Sequence, residues 1–198
     1  MATLFPYMHV HNFLSDALSQ EILAYGISKS ADFQPSKVNK NGVGVVANSR
    51  VSKILYDLGP YREIIKEHIG QIIPQMTEQL KITPFEVGEI EVELAAHGDG
   101  ALFTAHIDTT VHHHTEKPRI ISAVYYLHSQ PKKFEGGNLL LHTMPFGKGN
   151  DEPKEIEPEN NSLLAFPSFA LHEVLPVMAQ GVEFKDWRFA VNCWIHRA

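Results

Sequence analysis

The apolar positions of this chain change period near residue 89. Before that point they recur at helical spacing in two places. After Ser15, a residue suited to capping a helix, Leu18, Ile22 and Leu23 make a stripe that runs through Tyr25. After Pro60, Ile64, Ile65, His68, Ile69 and Ile72 repeat with the same period, and Pro74 predicts an interruption or a kink. Between these helices, Phe33 to Arg50 is rich in Gly, Asn and Ser, and Asn41-Gly42 is a hairpin-turn signal. A Gly-rich segment of this kind suits a lid over a substrate.

From Glu89 the period is two. Ile90, Val92, Leu94 and Ala96 alternate with acidic residues, and Ile120 to His128 is a nearly continuous apolar run, as in a strand covered on both faces. Further strands are predicted at Leu139–Leu141, Leu163–Phe166, Leu171–Val177 and Phe184–Ile195. Many short strands separated by Gly and Pro turns predict an antiparallel sandwich or jelly roll. Thr143 to Asn161 is strongly polar and reads as a surface loop. No internal repeat is visible, and the length suits one domain, with residues 1–88 as support and lid and 89–198 as the core.

Composition narrows the function. The formal charge of −6 disfavours nucleic acid, whose binding requires clustered Lys and Arg. No apolar run approaches the roughly 20 residues of a membrane span. The first residues, Met1 to Tyr7, lack the basic and apolar regions of a signal peptide, and the single cysteine, Cys193, excludes an internal disulfide, so the expected address is cytoplasmic.

The chemistry concentrates in His106-Ile107-Asp108, His172 and Arg188. A His-x-Asp pair on an extended strand puts both side chains on one face, and His172 can arrive on a neighbouring strand. Two imidazoles and one carboxylate leave open positions on an octahedral ion, the arrangement of non-haem Fe(II) oxygenases. On the last strand Arg188, Ala190, Asn192 and Trp194 share one face, while Phe189, Val191, Cys193 and Ile195 form an apolar opposite face. An inward guanidinium needs an anionic partner, which a dicarboxylate would supply. Val124 and Tyr126 share a face in the same way, and Cys193 points away from Arg188.

The segments HGDGALFTAHIDTT, RIISAVYYLHSQPKKFEGGNLLLH, IEPENNSLLAFPSFALHEVLPV and WRFAVNCWIH together resemble the Fe(II)/2-oxoglutarate-dependent oxygenases of the prolyl-4-hydroxylase-like branch. The resemblance covers roughly residues 90 to 197. It implies a mainly β double-stranded β-helix, a jelly roll with helices bracing one sheet. It implies that His106, Asp108 and His172 hold Fe(II), that Arg188 and Tyr126 hold the distal carboxylate of 2-oxoglutarate, that Gly136-Gly137 turns into the next strand, and that Trp194 lies beside the cosubstrate. Asn192, facing the same interior, would support that site. With O2 as second substrate and ascorbate as a further candidate reductant, the implied reaction hydroxylates an unactivated C–H of an amino-acid side chain in a protein, peptide or metabolite. Succinate and CO2 are the implied co-products. Asp108 favours hydroxylation over the halogenation seen in relatives with a small residue there. Two departures stand out: Arg188 follows His172 by 16 residues, which enlarges the intervening loop, and Trp187 replaces a frequent Gly.

The competing readings are a cupin-like metal- or ligand-binding module and a Zn(II) hydrolase using the same ligands. The first has no use for a dicarboxylate clamp. The second needs a nearby general base, and Glu173, next to His172, has the wrong parity. His112, His113 and His114 read as a polar loop, because three consecutive residues cannot face one way on a strand. His97, His128 and His142 are cavity candidates, and Arg119 is expected to pair with an acid at the rim.

Overall fold

The computed structural model describes residues 2–40, 43–109, 118–144 and 149–198. Among these, seven strands form a major antiparallel sheet in the order Met8–His11, Ser162–Pro167, Arg119–Leu127, Arg188–Arg197, Val87–His97, Lys53–Leu55 and Gln34–Pro35. Five more form a minor sheet in the order Lys154–Ile156, Leu139–Leu141, His172–Val174, Leu102–His106 and Arg50–Val51. Both sheets contribute to one apolar cluster, in which Tyr126, Leu164, Phe166 and Ala190 of the major sheet meet Leu139, Leu141 and Ile156 of the minor. This is the jelly roll that the strand pattern predicted.

The other face of the major sheet is covered by helices α1 (Asp16–Ser28) and α2 (Tyr61–Gln79). Ile22 of α1 and Ile65, Ile69, Ile73 and Met76 of α2 pack with Leu94, Phe189, Val191, Cys193 and Ile195. The alternation along the final strand therefore sorts its residues as expected, the Phe189 parity under the helices and the Arg188 parity between the sheets. Ser15 caps α1, its hydroxyl accepting from the Leu18 amide at 3.3 Å.

Four local expectations change. Helix α2 carries through Pro74 to Gln79, because its apolar stripe continues in Ile73 and Met76 and burial outweighs one lost backbone bond. The last strand begins at Arg188, since Phe184–Asp186 is a 3-10 turn whose Phe184 ring packs against Phe33, Phe189 and Trp187. The run from Leu171 to Val177 divides into His172–Val174 and a second strand, Val177–Met178, which pairs with Glu135–Gly136. Within the polar stretch 143–161, Lys154–Ile156 is a strand of the minor sheet, in register with Leu139–Leu141, and its Ile156 is buried. Asn41-Gly42 and His112 to His114 lie outside the described residues, although the flanking strands Val38–Lys40 and Val43–Val45 do pair antiparallel.

Candidate metal and cosubstrate site

His106 ends a minor-sheet strand, and His172 begins the neighbouring one directly opposite it. Asp108 lies two residues beyond the strand rather than on it. Its amide donates to the Ser168 carbonyl at 2.8 Å, which bends the chain towards the major sheet. The three side chains still converge. Asp108 Oδ1 is 3.5 Å from His106 Nε2, and Oδ2 is 3.7 Å from His172 Nε2. Ligands bound to one ion at about 2.1 Å stand roughly 3.0–3.4 Å apart, so small side-chain movements suffice.

Backbone carbonyls orient both rings. His106 Nδ1 lies 2.8 Å from Thr104 O, and His172 Nδ1 lies 2.9 Å from Ala170 O. A carbonyl can only accept, so each Nδ1 donates to its carbonyl, which leaves each Nε2 directed at the Asp108 carboxylate. Phe103 stacks on His106, with ring centroids 3.5 Å apart. On the major-sheet side the Ser122 hydroxyl donates to Asp108 Oδ2 at 2.6 Å and lies 2.9 Å from Ser168 Oγ.

Electrostatics favour the charge states a cation needs. Burial on its own would raise the Asp108 carboxyl, but the His106 contact, the His172 ring and the Ser122 hydroxyl outweigh it and hold the group well below the usual carboxylate range. Burial lowers His172 to about 4, although the Asp108 charge pulls the other way. A neutral imidazole beside an ionised carboxylate is the ligand form of both.

Arg188 occupies the same cavity, whose lining includes His106, Asp108, His172, Val174, Asn192 and Trp194. It is 1% exposed. One Nη donates to His97 Nδ1 at 3.0 Å across the adjacent strand, and the guanidinium lies 5.0 Å from the Tyr126 ring centroid. Arg188 Nε and the Tyr126 hydroxyl are both buried with no hydrogen-bond partner among the described residues. Burial lowers the Arg188 guanidinium from its ordinary value and pushes the Tyr126 hydroxyl up to about 12. Two orphaned donors beside a buried cation form a receptacle for an anion, because unpaired buried polar groups are costly. Backbone geometry keeps the approach to it open. Gly137 has φ +68, and a Cβ there would stand 2.8 Å from Arg188 Cδ.

Residues 92–196, just over half the chain, match the family model of the 2OG-Fe(II) oxygenase superfamily. The chain belongs to that superfamily. It is also 36% identical, over 200 residues, to an uncharacterized PKHD-type hydroxylase of Synechocystis sp., a match that takes in 96% of this chain and 63% of the relative. The chain thus spans less than two thirds of that relative's length. Among solved structures, a Trichoplax adhaerens prolyl hydroxylase in complex with a hypoxia inducible factor peptide fragment superposes with a TM-score of 0.73 at 22% identity, covering 98% of this chain and 84% of that one. A Pseudomonas putida prolyl-4-hydroxylase gives 0.70 at 20% identity, covering 98% and 94%. The viral collagen prolyl hydroxylase of Paramecium Bursaria Chlorella virus-1 gives 0.65 at 18%, covering 97% and 96%. At these identities the likeness is one of fold.

2OG-Fe(II) oxygenases take Fe(II) and 2-oxoglutarate, and the residues present fit both groups. The His106–Asp108–His172 set has the donors and spacing for a divalent ion. The orphaned Arg188 Nε and Tyr126 hydroxyl suit a carboxylate.

The remaining sequence candidates separate. His97 lines the cavity and holds Arg188. His128 packs edge-on against Phe134, with Nδ1 2.9 Å from the Ser129 carbonyl, and His142 Nε2 lies 3.0 Å from Glu173 Oε1, so neither is in the cavity lining. Glu173 is therefore turned away from the triad. Asn192 donates to Glu93 Oε1 at 3.1 Å. Trp194 lies under Arg119, which pairs with Glu91 at 2.6 Å, the acid partner expected at the rim. Sequence reasoning missed Ser122, Glu93 and the inward role of Arg50, which pairs with Glu93 and stacks on Phe103. Ser122 shares a strand face with Val124 and Tyr126, but its contact with Asp108 arises only because Asp108 leaves its own strand to bond Ser168.

Proposed function

We propose that this chain is an Fe(II)- and 2-oxoglutarate-dependent dioxygenase that hydroxylates an amino-acid side chain in a peptide or protein. The observation that carries the reading is the juxtaposition, in one cavity, of a His-Asp-His donor set with a buried, partly unsatisfied arginine. A metal-storage module has no use for Arg188, and a hydrolase would need the base that Glu173 does not provide.

In this reading His106 Nε2, Asp108 and His172 Nε2 hold the iron, and Arg188 and Tyr126 hold the distal carboxylate of 2-oxoglutarate by charge-assisted hydrogen bonds. Once bound, iron, 2-oxoglutarate and O2 supply the oxidising power that turns a C–H into C–OH, with succinate and CO2 as co-products. The chain positions and seals. Ser122 fixes Asp108, His97 fixes Arg188, and Val174, Leu139 and Trp194 keep the cavity apolar beside the metal. Asn192 acts through Glu93 on Arg50 at the wall. We read 33–50 as the lid, since it ends in Arg50, which lines the cavity. The peptide substrate is inferred from the peptide bound in the Trichoplax structure.

Anaerobic titration of apo-protein with Fe(II) and then 2-oxoglutarate tests this. The visible charge-transfer band of the chelate is expected in wild type and absent in His172→Ala. Arg188→Ala should need far more 2-oxoglutarate. Succinate release and the gain of one oxygen, followed by mass spectrometry over a peptide panel, then identify the substrate. Metal binding without the band would overturn the assignment.

A further inference from the structure

A second set of two histidines and a carboxylate lies on the edge strand of the major sheet, remote in the sheet order from Arg188. His9 and His11 alternate with Val10 on Met8–His11, so strand parity turns both rings to one side, and their centroids are 4.5 Å apart. Glu159 joins them from the loop before Ser162–Pro167, with Oε2 3.0 Å from His11 Nδ1. One donor atom from each of the three lies within 4.8 Å of the others. His9 Nε2 is buried and has no hydrogen-bond partner among the described residues.

The frame around these residues is stiff. His11 pairs with Ser162 and His9 with Leu164 in the sheet ladder. Asn161, two residues after Glu159, sits at φ +58 and is held by the Tyr125 hydroxyl at 2.9 Å, the Leu14 amide at 3.1 Å and the Leu14 carbonyl at 2.9 Å. The Ser162 hydroxyl bonds the Glu159 carbonyl at 2.8 Å. Both the strand and the loop are thus fixed before any ligand arrives, which spares a bound ion the ordering entropy of its ligands.

We propose that His9, His11 and Glu159 form a binding site for a zinc-class divalent cation, separate from the oxygenase centre. Imidazole nitrogens with one carboxylate suit Zn(II), Ni(II) or Cu(II), and tetrahedral zinc places its donors roughly 3.4 Å apart, close to the His11–Glu159 separation. Three protein ligands leave one position for water. The ion clips the N-terminal edge strand to the loop that anchors the start of α1.

Zn(II) titration of the metal-free protein, counting equivalents by calorimetry and elemental analysis, tests this. Two equivalents are expected in wild type. Loss of one is expected in His172→Ala and, independently, in His11→Ala and in Glu159→Gln. The latter two are exposed positions whose replacement leaves the core intact, and both variants should keep the Fe(II)–2-oxoglutarate band. In the His172→Ala background, Zn(II) should raise the melting midpoint by several degrees, and adding His11→Ala should abolish that rise. A single equivalent in wild type, or two equivalents retained in His11→Ala, overturns the proposal. Failure of the oxygenase reading would instead show in the missing band, with this count unchanged.

Discussion

Replacing Tyr126 with Phe should make the empty protein more stable and its 2-oxoglutarate binding weaker. The opposite signs follow from one atom. The Tyr126 side chain is fully buried and its hydroxyl has no hydrogen-bond partner among the described residues, so folding desolvates that group with only the nearby Arg188 charge to offset the cost. Such a group costs about 1–3 kcal/mol. Phe keeps the ring 5.0 Å from the Arg188 guanidinium and fills the same volume, so little packing is lost. A gain of about 1–2 kcal/mol is expected, which for a chain of this size is roughly 2–8 °C in melting midpoint.

With cosubstrate the advantage is lost. A hydrogen bond to a charged group is worth about 1.5–3 kcal/mol, so losing it should weaken 2-oxoglutarate roughly ten- to hundredfold. At a ligand concentration about 1,000 times the wild-type Kd, linkage stabilises wild type by about 4.1 kcal/mol, and a variant with thirtyfold weaker binding by about 2.1 kcal/mol. That difference cancels the variant's advantage. The assay is a pair of anaerobic melts, with and without 2-oxoglutarate, at fixed Fe(II), alongside the charge-transfer titration. An empty variant less stable than wild type, or an unchanged Kd, would refute the assignment of the hydroxyl to the cosubstrate.

Three further outcomes are expected. Gly137→Ala places a methyl 2.8 Å from Arg188 Cδ at φ +68, whereas Gly100→Ala meets nothing within 4 Å at φ +71; both should lose about 1–2 kcal/mol of stability to backbone strain, but only Gly137→Ala should raise the 2-oxoglutarate Kd. Ser122→Ala removes the 2.6 Å bond to Asp108 Oδ2 and should weaken Fe(II) binding about ten- to hundredfold in the same titration. His97 is held neutral by burial and then by the charges of Arg188 and Arg50, so its folded value lies well below 6.5 and the unfolded chain binds the proton more readily. Metal-free protein should therefore be fully stabilised above about pH 6.5 and lose stability as pH falls below it, by up to about 1.4 kcal/mol per unit from this group. Melts of His97→Gln, which keeps an acceptor for Arg188, should show a flatter slope.

What was legible in the sequence is what a single strand decides. Parity alone placed Arg188, Asn192 and Trp194 opposite Phe189, Val191 and Cys193, and the two faces serve different neighbours as expected. The spacing of His106 and Asp108 was enough to bring their side chains together, even though the strand ends between them. Helix spacing found α1 and the start of α2, and the helix is not interrupted at Pro74 because propensity is a weaker term than the burial of Ile73 and Met76.

What was not legible depends on register between strands far apart in the chain. Ser122 meets Asp108 only because Asp108 leaves its own strand to bond Ser168, and Ser168 follows the strand paired with Ser122. His97 meets Arg188 because those two residues are direct partners in a ladder joining strands 91 residues apart. Arg50, Glu93 and Asn192 form a chain of contacts across two sheets, none of which has a local signature. The residues that carry the proposed chemistry could thus be named from local pattern, while those that hold them in place could not. The division has a physical basis. Metal and carboxylate chemistry restrict residue type severely, so ligands and clamps stand out in a sequence. A positioning contact requires only one donor and one acceptor at the right distance, and many residue types meet that requirement once the ladder has set the distance.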